Sequence, residues 1–126
     1  MKILRARLCA NHAEQYAIPV ALDRSRGHLP GLVQALQERR DITVQRLNTM
    51  EGASCAAPGG AFYAFPSFDI PMDDEEFCKS LLRETGVMTV FGSGFGQKAG
   101  TRHLRIVFLP QPEVLHEAFE KMEGFL

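Results

Sequence analysis

A glycine-rich segment between two strand-like segments, within residues 86–110, is the feature that most constrains the fold of this chain. The residues before it, 87–91, are β-branched or large and apolar, which suits a half-buried strand. Glycine then occupies positions 92, 94, 96 and 100. Because glycine loses more backbone entropy on folding than other residues, we expect this loop to need unusual dihedral angles or a close approach of backbone.

The segment after the loop has the period of two that is typical of a strand with one buried face. Leu104, Ile106 and Phe108 fall on one face, and His103, Arg105 and Val107 fall on the other. A guanidinium in the middle of such a strand needs an anionic partner if it is buried. The residues leave two alternatives for Arg105: an ion pair with a protein carboxylate, which strand physics alone favours, or a ligand carboxylate or phosphate.

Composition bounds the class of protein. A chain of 126 residues predicts one domain, and a net charge of −1 gives no basic field for nucleic acid or an anionic membrane. The three cysteines, Cys9, Cys55 and Cys78, are far apart, and neither they nor the histidines show metal-ligand spacing. No apolar run approaches the length of a membrane span. We therefore expect a cytoplasmic protein with reduced thiols and without a metal, nucleic-acid or membrane partner.

The remaining segments predict helices around one short strand. We expect helices at 12–22, where Pro19 should kink or end the helix, at 28–50, from the cap Asp73 to Gly86, and from Pro112 onward. Residues 61–65 predict a strand. The acidic run 73–76 is interpreted as a helix N-terminus and not as a metal site. The order predicts an α/β domain of the α+β type, with a small three- to four-stranded sheet, helices packed on one face and a long helix before it.

The glycine-rich loop alone identifies no function. The run Gly92-Ser-Gly-Phe-Gly96 lies between two predicted strands, so it matches neither the dinucleotide-binding nor the P-loop signature, which need a following helix. No nucleophile, base and orienting acid can be grouped by spacing. Residue types and spacing therefore predict only a cytosolic α/β domain with one unusual strand arginine.

Several segments resemble the C-terminal part of class I/II aminotransferases, the pyridoxal-phosphate enzymes of the aspartate aminotransferase fold. These segments are Gly60-Ala-Phe-Tyr-Ala-Phe-Pro66, Leu81-Leu-Arg-Glu-Thr-Gly-Val87, Gly92-Ser-Gly-Phe-Gly96 and His103-Leu-Arg-Ile-Val-Phe-Leu-Pro110. The run 92–100 followed by His103-Leu-Arg105 is most similar to the alanine aminotransferase branch. Segments 7–16 and 36–47 also match, so the resemblance covers nearly the whole chain in the right order.

The resemblance implies roles for three residues. Arg105 would bind the α-carboxylate of the substrate, for which a planar guanidinium fork is suited. Asn11 would lie near the active site and the subunit boundary, and Phe62 would either line the pocket or pack in the core. The parent enzyme would be a homodimer that uses pyridoxal 5′-phosphate to transfer an amino group between an amino acid, expected to be alanine, and a 2-oxo acid.

The departures from the family pattern matter as much. In the family, the cofactor-binding residues precede the segments that match this chain: the Schiff-base lysine, the aspartate at the pyridine nitrogen and the phosphate cup. Lys2 lacks the sequence surroundings of that lysine. We therefore expect residues 1–126 to be a single C-terminal small domain without the cofactor-binding large domain, and to be inactive alone. Phe91 replaces a family proline, and Pro19 is unexpected in a family helix. The alternative is a free-standing small-molecule-binding or regulatory module without catalysis.

Overall fold

The computed structural model describes residues 11–24 and 26–126, which fall into two compact units that divide between Gln34 and Ala35. Cys9 and the first part of the segment 7–16 lie outside the described residues. Within the described ranges, no helix has the length and apolar character that a membrane crossing requires.

The described part of the first unit is helical. Helix α1 spans His12–Arg24, a 3₁₀ turn covers Arg26–His28, and helix α2 begins at Leu29 and continues into the second unit to Thr49. The predicted start of α1 is confirmed, and the Asn11 side-chain amide donates a hydrogen bond to the Glu14 carboxylate. The helix continues through Pro19. Proline removes one backbone donor but has a helical φ, so the expectation that it could end the helix is wrong.

The second unit contains two small antiparallel sheets. Strand β1, Ala53–Ser54, pairs with β3, Ser67–Phe68. Strand β5, Leu104–Val107, lies between β2, Tyr63–Ala64, and β4, Val90–Phe91. An isolated bridge between Ser67 and His103 links the two sheets. The predicted combination of helices with a small sheet is confirmed.

Strands β2 and β4 are shorter than predicted, for local reasons. Ala61 has a φ of 57°, a left-handed conformation that an extended strand does not adopt. Before β4, the Val87 N–H donates a hydrogen bond to the Thr85 hydroxyl, so the chain that leaves the preceding helix is held to that helix. Met88 is accordingly exposed.

Two further helices complete the unit. Helix α3 spans Asp74–Thr85; the Asp73 carboxylate accepts the Glu75 N–H at 2.9 Å, and Gly86 ends the helix at a φ of 76°. Helix α4 spans Pro112–Phe125 and begins at the predicted proline. Helical spacing predicts that Leu82 and Val114 lie on the buried faces of these helices, but the structure shows them 44% and 53% exposed, so this prediction is wrong. Each lies one position, about 100° around the helix, from a buried leucine.

One hydrophobic core joins the sheet to helices α2, α3 and α4. Its largest fully buried apolar side chains are Leu47, Leu81, Leu104, Phe108, Phe119 and Met122. Along β5, buried residues alternate with half-buried ones, so Arg105 lies on the face opposite the core. The Arg39 guanidinium ties α2 to the connection between β5 and α4 by donating to the Leu109 carbonyl and the Gln111 side chain.

Candidate functional site

The guanidinium of Arg105 lies against two aromatic rings. Its central carbon, Cζ, is 4.8 Å from the centroid of the Tyr63 ring and 4.4 Å from that of the Phe95 ring. Nε is buried without a hydrogen-bond partner, and no described residue forms an ion pair with this side chain. Ring faces attract a cation but offer no acceptor to its N–H groups. The arrangement therefore favours a planar anion that meets the edge of the guanidinium.

Strand register brings these groups together. Val107 of β5 pairs with Tyr63 of β2, so the two side chains lie on the same face of the sheet. Arg105 lies two residues before Val107 in the same strand, and it therefore shares that face with Tyr63. On the other side of β5, Val90 pairs with Arg105. The second ring, Phe95, comes from the 3₁₀ turn Gly92–Phe95 that follows β4.

A third aromatic residue extends the apolar surroundings. The Phe65 ring meets the Phe95 ring edge-on at 6.4 Å and the His103 ring at 4.9 Å. Nδ1 of His103 is buried and has no hydrogen-bond partner. We call Tyr63, Phe65 and Phe95 the aromatic wall. Sequence reasoning singled out Arg105 but not this wall, whose members are separated by up to 32 residues in the chain.

The glycine-rich loop is held close to the backbone of His103. The Gly92 N–H donates to the His103 carbonyl at 2.7 Å, and the His103 N–H donates to Gln97 Oε1 at 2.8 Å. A Cβ at position 92 would lie 2.6 Å from the His103 carbonyl oxygen, and Gly96 has a φ of 78°. The expectation of close backbone approach and unusual dihedral angles is therefore confirmed.

Asp74 is the buried acid of this region, with 1% of its surface exposed. Its Oδ2 accepts hydrogen bonds from the Ser93 N–H at 2.8 Å and from Gln97 Nε2 at 3.0 Å. Burial raises the pKa of the Asp74 carboxyl, but the hydrogen bonds from Ser93, Gln97 and the Glu75 backbone outweigh burial and lower the pKa overall. Sequence reasoning interpreted this residue only as part of a helix N-terminus and missed its contacts with the loop.

The other two predicted site residues lie in different settings. Asn11 is an exposed residue of the first unit. Phe62 is half-buried against the hydrophobic core, and its ring lies 4.6 Å from that of Tyr63. The position of Phe62 matches the core-packing alternative. Among the described residues, no cluster of His, Cys, Asp and Glu could hold a metal ion.

Comparison with known proteins identifies the family. The family model described as aminotransferase class I and II matches residues 1–122. The alanine aminotransferase of Mycobacterium tuberculosis is 40% identical over 131 residues, which cover 95% of this chain and 29% of that protein. The aspartate/prephenate aminotransferase of Cereibacter sphaeroides is 37% identical over 122 residues, which cover 88% of this chain and 30% of that protein.

Solved structures give the same result. The alanine aminotransferase from Pyrococcus furiosus superposes with a TM-score of 0.85 at 40% identity, covering 98% of this chain and 32% of that chain. This chain thus spans about a third of the length of the relatives it matches. With its small sheet, its strand arginine and these relatives, the chain belongs to the class I and II aminotransferase family, near the alanine aminotransferase branch.

Proposed function

We propose that this chain is the C-terminal small domain of a class I/II aminotransferase and that Arg105 binds the α-carboxylate of the substrate. The observation that carries the proposal is the setting of the guanidinium, which contacts two aromatic rings and pairs with no carboxylate of the described residues. A structural ion pair, the alternative that strand physics favoured, has no support in that setting. Because bidentate pairing uses the edge of the guanidinium, its contacts with Tyr63 and Phe95 are compatible with a bound carboxylate.

The proposed reaction transfers an amino group between an amino acid and a 2-oxo acid. Both classes of substrate carry a carboxylate next to the reacting carbon, so one arginine would orient both. Relatives are named for alanine and for aspartate/prephenate, which differ in the rest of the molecule. We propose alanine as the amino acid, because several of the similar proteins carry that name.

Within the described residues, the lysines do not fit a site for pyridoxal phosphate. A Schiff-base lysine needs a lowered pKa, which comes from burial or a neighbouring cation. Lys79 and Lys121 instead form exposed ion pairs with Glu75 and Glu117, and Lys98 is exposed. We therefore propose that the cofactor belongs to the rest of a homodimeric enzyme of the relatives' length, and that residues 1–126 alone are inactive.

The apolar surroundings would strengthen carboxylate binding. Tyr63 and Phe95 cover part of the guanidinium, and a charge-assisted hydrogen bond is stronger where apolar groups replace some of the surrounding water. The chain's own contribution to catalysis would thus be to bind the carboxylate and fix its orientation, which is the role of a substrate-positioning group.

Ligand titration of the 126-residue chain tests the proposal. We expect alanine, pyruvate and propanoate to shift the Arg105 Nε–H resonance in a saturable way in NMR spectra, because all three carry a carboxylate. Propanamide has nearly the same shape as propanoate but no charge, and it should cause no saturable shift. Equal responses to propanoate and propanamide, or no response to any carboxylate, would contradict the proposal.

A further inference from the structure

We propose that Asp74 is a positioning residue for Arg105: by holding the loop at Ser93 and Gln97, it keeps the Phe95 ring against the guanidinium. This inference rests on the proposed role of Arg105 in carboxylate binding. It assigns a task to a buried charge that the side-chain cap of α3 does not use, because Asp73, and not Asp74, provides that cap.

The first step is the link between helix and loop. Asp74 is the first residue of α3, and its Oδ2 accepts two hydrogen bonds, from the Ser93 backbone and from the Gln97 side chain. These donors lie on either side of Phe95 in the sequence. A displacement of the backbone at Phe95 would therefore strain or break one of the two hydrogen bonds.

The second step is the link between loop and strand. The Gln97 amide contacts both sides, because its Nε2 donates to Asp74 while its Oε1 accepts the His103 N–H. The Gly92 N–H donates to the carbonyl of the same His103. Since His103 lies two residues before Arg105 on the same face of the sheet, these hydrogen bonds fix the loop relative to the strand that carries the guanidinium.

The third step is the need for a charge. A carboxylate loses hydration when it is buried, and two N–H donors together with the N-terminus of α3 compensate for that loss. Asparagine has nearly the same shape, but its amide oxygen is neutral and accepts hydrogen bonds more weakly than a carboxylate. Asp74→Asn should therefore loosen the loop without creating a cavity.

A loosened loop should change the orientation of the Arg105 guanidinium. The Phe95 ring is half exposed and lies outside the hydrophobic core, so its place against Arg105 depends on the loop backbone that carries it and on its contact with Phe65. Without the ring, the Arg105 side chain would sample more rotamers and present its two-donor edge less often. We expect the dissociation constant for propanoate to rise by about 2- to 5-fold, the factor that corresponds to one partly exposed cation–π contact.

The experiment measures the ring contact by NMR on the full 126-residue chain without ligand. The variant Phe95→Leu gives the chemical shift of the Arg105 Nε–H in the absence of the Phe95 ring current. We expect Asp74→Asn to move that resonance towards the Phe95→Leu position and to remove the nuclear Overhauser contact between the Phe95 ring and Arg105. Asp73→Asn is the matched control, because it makes the same change one residue away, weakens the cap of α3 and leaves the loop contacts in place.

A structural effect on α3 alone would move both aspartate variants alike and would overturn the proposal. Retention of the ring contact and of propanoate affinity in Asp74→Asn would also overturn it. If Asp74→Asn does not fold, Gln97→Met serves instead: it removes the Gln97 hydrogen bonds to Asp74 and to the His103 N–H and keeps the carboxylate paired with Ser93. The same two readouts then decide the outcome.

The unliganded measurement separates this inference from the proposed function. If wild-type chain binds no carboxylate while Asp74→Asn still releases Phe95, the proposed function of Arg105 fails, and with it the positioning role. If wild-type chain binds propanoate and Asp74→Asn changes neither readout, the proposed function stands and the positioning role alone fails.

Discussion

The two faces of strand β5 have different neighbours although their residues alternate along one short segment. On one face, Leu104, Ile106 and Phe108 are at most 7% exposed and pack in the core. On the other, Arg105 is half-buried and contacts aromatic rings instead of a carboxylate. The comparison indicates that one face of the strand packs in the core, whereas the other presents a guanidinium that pairs with no carboxylate of the described residues.

The expected free energies of the two faces differ accordingly. Burying a large apolar side chain contributes about 1.5–3 kcal/mol to stability. A cation–π contact at a partly exposed site contributes about 0.5–1 kcal/mol. Substitutions on the core face should therefore change the free energy of unfolding, and substitutions of Arg105 should mainly change ligand binding.

The largest effect is expected from Phe108→Ala. Its ring is 1% exposed, so truncation leaves a cavity and should lower the free energy of unfolding by about 3–5 kcal/mol. Chemical denaturation measures the change. Val114→Ala, at a position that is 53% exposed, is the control and should change stability by less than about 0.5 kcal/mol. A loss below about 1 kcal/mol for Phe108→Ala would remove the distinction between the faces.

The next effect is expected from Gly92→Ala, which tests the loop that carries Phe95. The new Cβ would lie 2.6 Å from the His103 carbonyl oxygen, and this backbone cannot move away as a flexible side chain would. We expect a loss of about 1–3 kcal/mol, typical of overpacking. Gly59→Ala is the matched control, because a methyl group at that position would have no neighbouring atom within 4 Å. Equal effects of the two substitutions would contradict the close approach.

A smaller effect is expected in the pH dependence of the free energy of unfolding, through the carboxyl group of Asp74. The pKa of Asp74 is lowered in the folded state, so its contribution to stability is present above its unfolded pKa of about 3.9 and is lost as pH falls through the lower folded pKa. Denaturation at several pH values should show a shallower loss in Asp74→Asn than in wild type below about pH 4. Parallel profiles would show that the carboxylate has no favourable contacts in the folded state.

Local signals explain the part of the fold that was predictable from sequence. The cap Asp73, the terminal Gly86 and the helix start at Pro112 are each encoded within a few residues, and the alternation in β5 follows from the period of a strand. The ends of β2 and β4 were not predictable, because they depend on the φ of Ala61 and on a hydrogen bond from Val87.

The candidate site was predictable only at its centre. A charged residue inside a strand marks Arg105, and the family resemblance suggests its ligand. The contacts of Asp74 join it to Ser93 and Gln97, which lie 19 and 23 residues away. No short spacing encodes such contacts, so they become visible only when the helix, the loop and the strand are placed together.

The substitution Arg105→Lys tests the central claim most directly, because it keeps the charge and removes the two-donor fork. We predict that propanoate affinity falls by about 10- to 150-fold, the scale of a charge-assisted hydrogen bond, while stability changes by less than about 0.5 kcal/mol. Arg102→Lys is the control, since that guanidinium donates to the Met72 and Thr101 carbonyls, and it should leave affinity unchanged. A destabilised Arg105→Lys chain whose folded fraction keeps its propanoate affinity would show that Arg105 is a structural residue.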